Sequence, residues 1–233
     1  MQPIFITGIG TDVGKTLIAA IVTQALQADY WKPIQAGFSE GTDSKWINQI
    51  INNKSTTIYN EAYKLKLPAS PHIAARDEKI NINLDEILNQ FHKIQNTKNK
   101  LQENINENSL SENLQLSTVN YLIIEGAGGL MVPLNDHEFV ADLIKKLNAK
   151  VILVSRNYLG SINHSLLTAM VCKQYNLDVV GWIFNDQYLQ YEDEIVRWSG
   201  FPKIASVPFE KNINKDFINE QANKIKQSLT DLL

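Results

Sequence analysis

The sequence predicts an α/β fold, a mostly parallel β-sheet flanked by helices on both faces, and three observations lead there. Short runs that are apolar throughout read as strands buried on both sides. They alternate with stretches whose apolar spacing is helical, the mark of parallel βαβ units. The chain has 233 residues, of which 44% are hydrophobic and 20% charged. That length buries roughly 70–75% of the unfolded surface, and no repeat or linker divides it, so one domain over residues 1–233 is expected.

Taken in order, strands are expected at Ile4–Thr7, Tyr121–Glu125, Val151–Ser155, Val179–Asn185 and Ile204–Val207. Helices are expected at Lys15–Gln27, Glu138–Leu147, Ile162–Tyr175 and Leu189–Trp198, with a last one at about Lys215–Leu232. Two regions fit less well. Residues 48–75 offer few strand signals, although Tyr63-Lys64-Leu65-Lys66-Leu67 alternates before stopping at Pro68. Residues 95–117 are rich in Asn, Glu, Gln, Lys and Ser and read as a helix extension followed by a mobile loop, with little core to bury.

Composition narrows the function. A net charge of −3 argues against a general nucleic-acid binder, which carries a basic stripe. One cysteine, Cys172, excludes an intrachain disulfide framework and suits a reducing cytosol. Met1-Gln2-Pro3-Ile4 runs into a strand without a basic n-region. The longest apolar runs, Leu17 to Val22 and Val151 to Val154, fall far below the ~18 residues of a membrane span. A cytoplasmic protein with no membrane partner is expected.

The strongest chemical signal is Thr7-Gly8-Ile9-Gly10-Thr11-Asp12-Val13-Gly14-Lys15-Thr16, set between a strand and a helix. Glycines let successive N–H groups face phosphate oxygens, and the helix adds its positive end. Lys15 would reach the β- and γ-phosphates and the Thr16 hydroxyl would ligand Mg²⁺. Five residues lie between Gly8 and Gly14, one more than the usual phosphate loop. A nucleoside triphosphate is the expected ligand and a P-loop NTPase-like, Rossmann-like three-layer sandwich the expected architecture.

Tyr30-Trp31-Lys32-Pro33-Ile34-Gln35-Ala36-Gly37 places a second lysine at a strand end, the edge where open α/β sheets bind ligands. Lys32 is either a source of positive charge for phosphoryl transfer or a solvated lysine. Asp43 opens a helical stretch as a metal ligand or an N-cap. Glu125 ends an apolar strand just before Gly126-Ala127-Gly128-Gly129, where P-loop enzymes place the acid that holds Mg²⁺. Asn185-Asp186 either reads a base edge or starts a turn. His72 and His164 lack metal-ligand spacing, and Cys172 lies in an apolar helix and reads as core.

Together these residues resemble the dethiobiotin synthetases, ATP-dependent ring-closing enzymes of biotin biosynthesis. That family's loop, Gly-Thr-Asp-Thr-x-Val-Gly-Lys-Thr, accounts for the extra residue. Its further signatures are matched by Lys32 to Gly37, Ser70-Pro71-His72, Glu125 to Gly129, Leu159-Gly160-Ser161-Ile162-Asn163-His164, Gly181 to Asp186, and Val207-Pro208, in order along nearly the whole chain. Ile9-Gly10 replaces the usual Thr-Asp, Asp12 stands where Glu is common, and Ala36 stands where a Ser or Thr hydroxyl is usual.

The resemblance implies ATP and Mg²⁺ as cofactors, with 7,8-diaminononanoate and CO₂ or bicarbonate as substrates. Lys15, Lys32 and Thr11 would be catalytic, and Thr16, Asp43 and Glu125 would hold the metal. Asp12, Val13, Gly14, Leu17 and Asp186 would bind the nucleotide, the backbone of Gly126, Ala127 and Gly128 would approach phosphate or substrate, and Asn185, Pro208, Phe209 and Glu210 would frame the adenine. Ala36, Gly160, Ser161 and Asn163 would meet the substrate, the last three in a loop that receives its carboxylate tail across a homodimer interface.

A rival class is the partition or septum-positioning ATPase, a nucleotide switch resembling the same fold. Its phosphate loop carries an early lysine at the place held here by Gly10. Its terminal helix is often basic or membrane-targeting, whereas Asn219–Gln227 is of mixed charge with little apolar face.

Overall fold

Among the described residues nine strands and eight helices follow one another as β1 (Gln2–Gly8), α1 (Lys15–Leu26), β2 (Asp29–Trp31), β3 (Ile34–Ala36), α2 (Asp43–Ile50), β4 (Ile58–Tyr59), β5 (Tyr63–Leu65), α3 (Pro71–Asp77), α4 (Leu84–Asn108), β6 (Tyr121–Gly129), α5 (Val140–Leu147), β7 (Lys150–Arg156), α6 (Ser161–Tyr175), β8 (Val179–Asn185), α7 (Glu192–Ser199), β9 (Lys203–Val207) and α8 (Lys215–Leu232). The computed structural model describes residues 1–108, 120–186 and 189–233, with the backbone course alone for 100–108. The helix half of the reading for 95–117 falls in α4; residues 109–117 lie outside the described residues.

Seven of the strands form one sheet in the order β4-β2-β6-β1-β7-β8-β9, and every neighbouring pair in it is parallel. Because side chains alternate across a strand, each central strand feeds two cores. Phe5, Leu122, Ile124, Val151, Leu153, Trp182 and Phe184 face a layer that includes α4, α5, α6 and α7. Ile4, Ile6, Ile123, Ile152, Val154 and Ile183 face α1, α2 and α8. The apolar-throughout strands follow from this two-sided burial, and the three-layer sandwich is the one expected.

Several expectations shift. Strand β6 continues past Glu125 to Gly129, because Gly129 pairs with Gly8 of β1 beyond a register irregularity. Residues 48–75, weak in strand signal, hold β4, β5 and the start of α3. The alternating run at 63–67 becomes β5, paired parallel with β3 in a small separate sheet. The supposed loop Gly160–Asn163 is helical from Ser161, with Gly160 as N-cap at φ 103°. Helix α8 does have an apolar face: Ile218, Ala222, Ile225 and Leu229 are buried in the core shared with α1. Cys172 is fully buried in α6, and burial pushes its thiol up to about 12. Among the described residues no helix is long and apolar enough to cross a membrane.

Candidate active site

Strand β1 lies between β6 and β7, so the loop between Gly8 and α1 emerges at the carboxyl edge of the sheet, where α/β folds bind ligands. Gly14 takes the N-cap of α1 at φ 92°, no side chain caps that helix, and its first turn holds no acid. The loop is tied down on three sides. The Ile9 N–H donates to Val154 O at 3.1 Å, Asn185 Nδ2 donates to Val13 O at 3.0 Å, and Lys15 Nζ donates to Gly10 O at 2.6 Å. Lys15 is 8% exposed. Burial lowers its ammonium to about 8, with Lys32 pushing the same way and Glu125 opposing. A buried cation held by a carbonyl is stabilised by any anion that enters beside it.

Across the cavity lies a tight charged cluster. The register Tyr30↔Ile123 and Trp31↔Ile124 between β2 and β6, continued by one residue, brings Lys32 level with Glu125. Lys32 Nζ lies 2.9 Å from Glu125 Oε1 and also bonds Asp43 Oδ2. Thr16 Oγ1 donates to Glu125 Oε1 at 2.8 Å, and the Tyr30 hydroxyl donates to Oε2 at 2.7 Å. Lys32 is 6% and Glu125 1% exposed, so Lys32 is no solvated surface lysine. Burial alone would lower the Lys32 ammonium, but Glu125 and then Asp43 more than reverse this and hold it above the ordinary lysine value. Burial, reinforced by Glu125, pushes the Tyr30 phenol well above its usual range.

Asp43 is not the cap of α2. Thr42 is, its side chain accepting from the Lys45 N–H, which frees the Asp43 carboxylate for Lys32. Gln35 holds the loop before it: Nε2 donates to Gly37 O at 2.9 Å, and Oε1 accepts from the Asp43 N–H at 3.2 Å. Tyr30 and Gln35 are site residues that the sequence alone does not mark.

Lys15, Thr16, Lys32, Gln35, Asp43 and Glu125 share a cavity of about 720 Å³, lined also by Thr11, Asp12, Gly14, Ala36, Ser70, Gly126, Ala127 and Gly128. Ser70 Oγ lies 3.1 Å from His72 Nδ1 on the wall that Ala36 also borders. A second cavity of about 520 Å³ is lined by Thr11, Asp12, Val13, Arg156 and Asp186, among others; Arg156 Nη2 lies 3.3 Å from Asp186 Oδ2.

Other candidates lie apart from these two cavities. Leu17 packs against the core shared by α1 and α8. Pro208, Phe209 and Glu210 follow β9; Phe209 is exposed, and Glu210 Oε1 accepts from the Asn212 N–H at 2.7 Å. Gly160 and Asn163 are exposed, whereas the Ser161 side chain is fully buried and 2.7 Å from the Tyr191 hydroxyl. His164 Nδ1 lies 2.6 Å from the Tyr158 hydroxyl.

Solved structures that resemble this one include the MinC:MinD cell division protein complex of Aquifex aeolicus, at a TM-score of 0.57 and 14% identity over 100% of this chain and 93% of that one. A ParA family ATPase from Chlorobium tepidum resembles it at 0.53 and 12%, over 99% and 92%. At such identities the likeness extends to the fold, a P-loop NTPase sandwich, and no further. Sequence relatives separate the two readings of that fold. A family model described as an AAA domain matches residues 2–216. An ATP-dependent dethiobiotin synthetase BioD of Cytophaga hutchinsonii is 43% identical over 97% of this chain and 97% of its own. Another, of Christiangramia forsetii, is 40% identical over 98% of each. With such relatives along its whole length and Gly10 where the switch ATPases carry their lysine, the chain belongs to the dethiobiotin synthetase family.

Proposed function

We propose that Lys15, Lys32 and the oxygens of Thr16, Asp43 and Glu125 carry this family's reaction in the larger cavity. The enzyme is an ATP-dependent ligase that converts 7,8-diaminononanoate and CO₂ to dethiobiotin, with ADP and phosphate as by-products. One amine takes up CO₂ as a carbamate and loses a proton. A carbamate oxygen then attacks the γ-phosphorus and ADP leaves. The second amine attacks the carbonyl carbon of the mixed anhydride, closing the ring and expelling phosphate with loss of a proton. No covalent enzyme intermediate is needed, so the protein contributes position and charge.

The observation that carries this reading is two buried ammonium groups on one cavity, Lys15 and Lys32. Lys15 would meet phosphate oxygens already charged in bound ATP. Lys32, fixed by Glu125 and Asp43, would stabilise charge that grows on the transferring phosphoryl and carbamate oxygens. The donor set also fits a magnesium ion. Thr16, Asp43 and Glu125 offer hard oxygen atoms on the wall of one cavity, too few to enclose a metal. Among the described residues no group of three or more His, Cys, Asp or Glu is placed to hold a metal, and magnesium habitually takes one or two carboxylates and completes its shell with water and substrate phosphates. Bound there, it would neutralise the phosphate oxygens.

The expected result with Mg·ATP is phosphate release that requires both 7,8-diaminononanoate and bicarbonate, with dethiobiotin detected by mass. ATP turnover indifferent to the diamine would overturn the assignment in favour of a nucleotide switch.

The substrate's carboxylate end would be received by Gly160 and Asn163 of a second copy in a cytoplasmic homodimer, while Ser161, buried against the Tyr191 hydroxyl, would hold that segment rather than meet substrate. Gly160 and Asn163 do not line the larger cavity of their own chain, which supports this, as do the exposed apolar side chains Leu159, Leu167 and Met170 of the same segment. Lys32→Ala and Asn163→Ala chains, each nearly inactive alone, should on equal mixing recover about a quarter of wild-type activity, because half the dimers then hold one intact site. No recovery after confirmed subunit exchange would place the whole site within one chain.

A further inference from the structure

We infer that Tyr30 is a positioning residue of the active site, holding one oxygen of the Glu125 carboxylate from inside the core so that the other is aimed at Thr16, Lys32 and the metal they would share. The inference deepens the reading above and rests on the metal role proposed there for Glu125. Its basis is how the partners divide. Thr16 Oγ1 at 2.8 Å and Lys32 Nζ at 2.9 Å both meet Oε1, the side of Glu125 toward the phosphate loop. Tyr30 alone of these three meets Oε2, at 2.7 Å.

The three partners also differ in what substrate does to them. Thr16 and Lys32 line the cavity, and a bound Mg·nucleotide competes for both. Tyr30 does not line it; its side chain is fully buried in the layer between the sheet and α1, and its strand is hydrogen-bonded to the strand of Glu125. Its hydrogen bond survives loading of the site, and it prevents the carboxylate from turning when the other two partners leave. A buried hydroxyl also needs a partner of its own, so the pair is mutually enforced. Partners that orient a metal ligand typically change metal affinity by about 10–100-fold when removed.

The test uses Tyr30→Phe, which removes one oxygen and keeps the ring. ADP binding is measured by calorimetry with Mg²⁺ and with EDTA, beside kcat and KM for ATP. The expected result is unchanged affinity without metal, a gain on adding Mg²⁺ that is about 10-fold smaller than wild type, and a fall in kcat larger than any rise in KM. A purely structural tyrosine would lower the melting temperature and leave the Mg²⁺-dependent gain intact, which overturns the proposal. Should the phenylalanine variant fold poorly, 4-fluorophenylalanine at position 30 fills the volume without a donor and must give the same reduced gain.

Glu125→Gln separates this inference from the reading beneath it. If that variant keeps the full Mg²⁺-dependent gain, the metal role of Glu125 fails and the inference falls with it. If it loses the gain and Tyr30→Phe does not, Tyr30 alone is wrong. If Tyr30 acts through Glu125, the double variant is no worse than Glu125→Gln; multiplied losses would overturn the inference.

Discussion

Lys32→Ala is expected to lower turnover by about 10²–10³, the scale for losing one donor aimed at developing charge, while KM for ATP moves only a few-fold. The asymmetry follows from the two lysines' surroundings. Lys15 contacts a backbone carbonyl and would gain a strong anionic partner when phosphate arrives, so it serves ground-state binding. Lys32 is already paired with Glu125 and Asp43, so a substrate oxygen must compete with two carboxylates for it. That competition favours the state with the most charge on the substrate oxygen, which is the transition state.

The variant should still fold, because Glu125 keeps Thr16 and Tyr30 as donors. Lys32→Arg should not rescue, since a planar fork does not fit a spot built around a compact ammonium. Steady-state phosphate release with a thermal melt on the same sample checks all of this. Wild-type turnover in Lys32→Ala would remove Lys32 from the chemistry.

Much of this site was legible because its signals are local. A strand, a glycine loop and Lys15-Thr16 are contiguous, and an acid after four apolar residues at 121–124 marks a strand end wherever the strand lies. What was not legible depends on which strands become neighbours. Tyr30 inside Asp29–Trp31 reads as one more core aromatic, and only the pairing of β2 with β6 brings its hydroxyl to an acid 95 positions away. Gln35 is likewise silent until the chain turns back at Gly37 and puts Asp43 beside it.

The fold shows the same division. The central strands, buried on both faces, announce themselves, whereas β3 and β5 are three residues each and are held by each other. The apolar face of α8 is faint in the sequence for a related reason. Its buried members are spread from Ile218 to Leu229, and the stretch Asn219–Gln227 contains only Ala222 and Ile225 among its apolar residues.

Gly14→Ala should weaken nucleotide binding by about 30–100-fold, for two separable reasons. The residue sits at φ 92°, where a Cβ costs roughly 1–2 kcal/mol. A Cβ there would also lie 2.1 Å from Asn185 Nδ2 and 3.0 Å from its Cγ. The asparagine must swing away and surrender its bond to Val13 O, a further ~0.5–1.5 kcal/mol. Asn185→Ala alone loses that bond but keeps the relaxed glycine, so a milder loss of about 3–10-fold is expected from the hydrogen-bond term. In the double variant the collision is gone and only backbone strain is added to the missing brace. Its affinity should match that of Gly14→Ala rather than the product of the two losses.

ADP calorimetry on the three variants decides the point. Multiplied losses would mean that Asn185 acts somewhere other than the loop. The base is the alternative, and it carries its own signature. If Asn185 reads the adenine edge, Asn185→Ala must erode the preference for ATP over GTP. If it braces the loop, both nucleotides weaken together, because every nucleotide presents the same phosphates to Gly14 and Lys15.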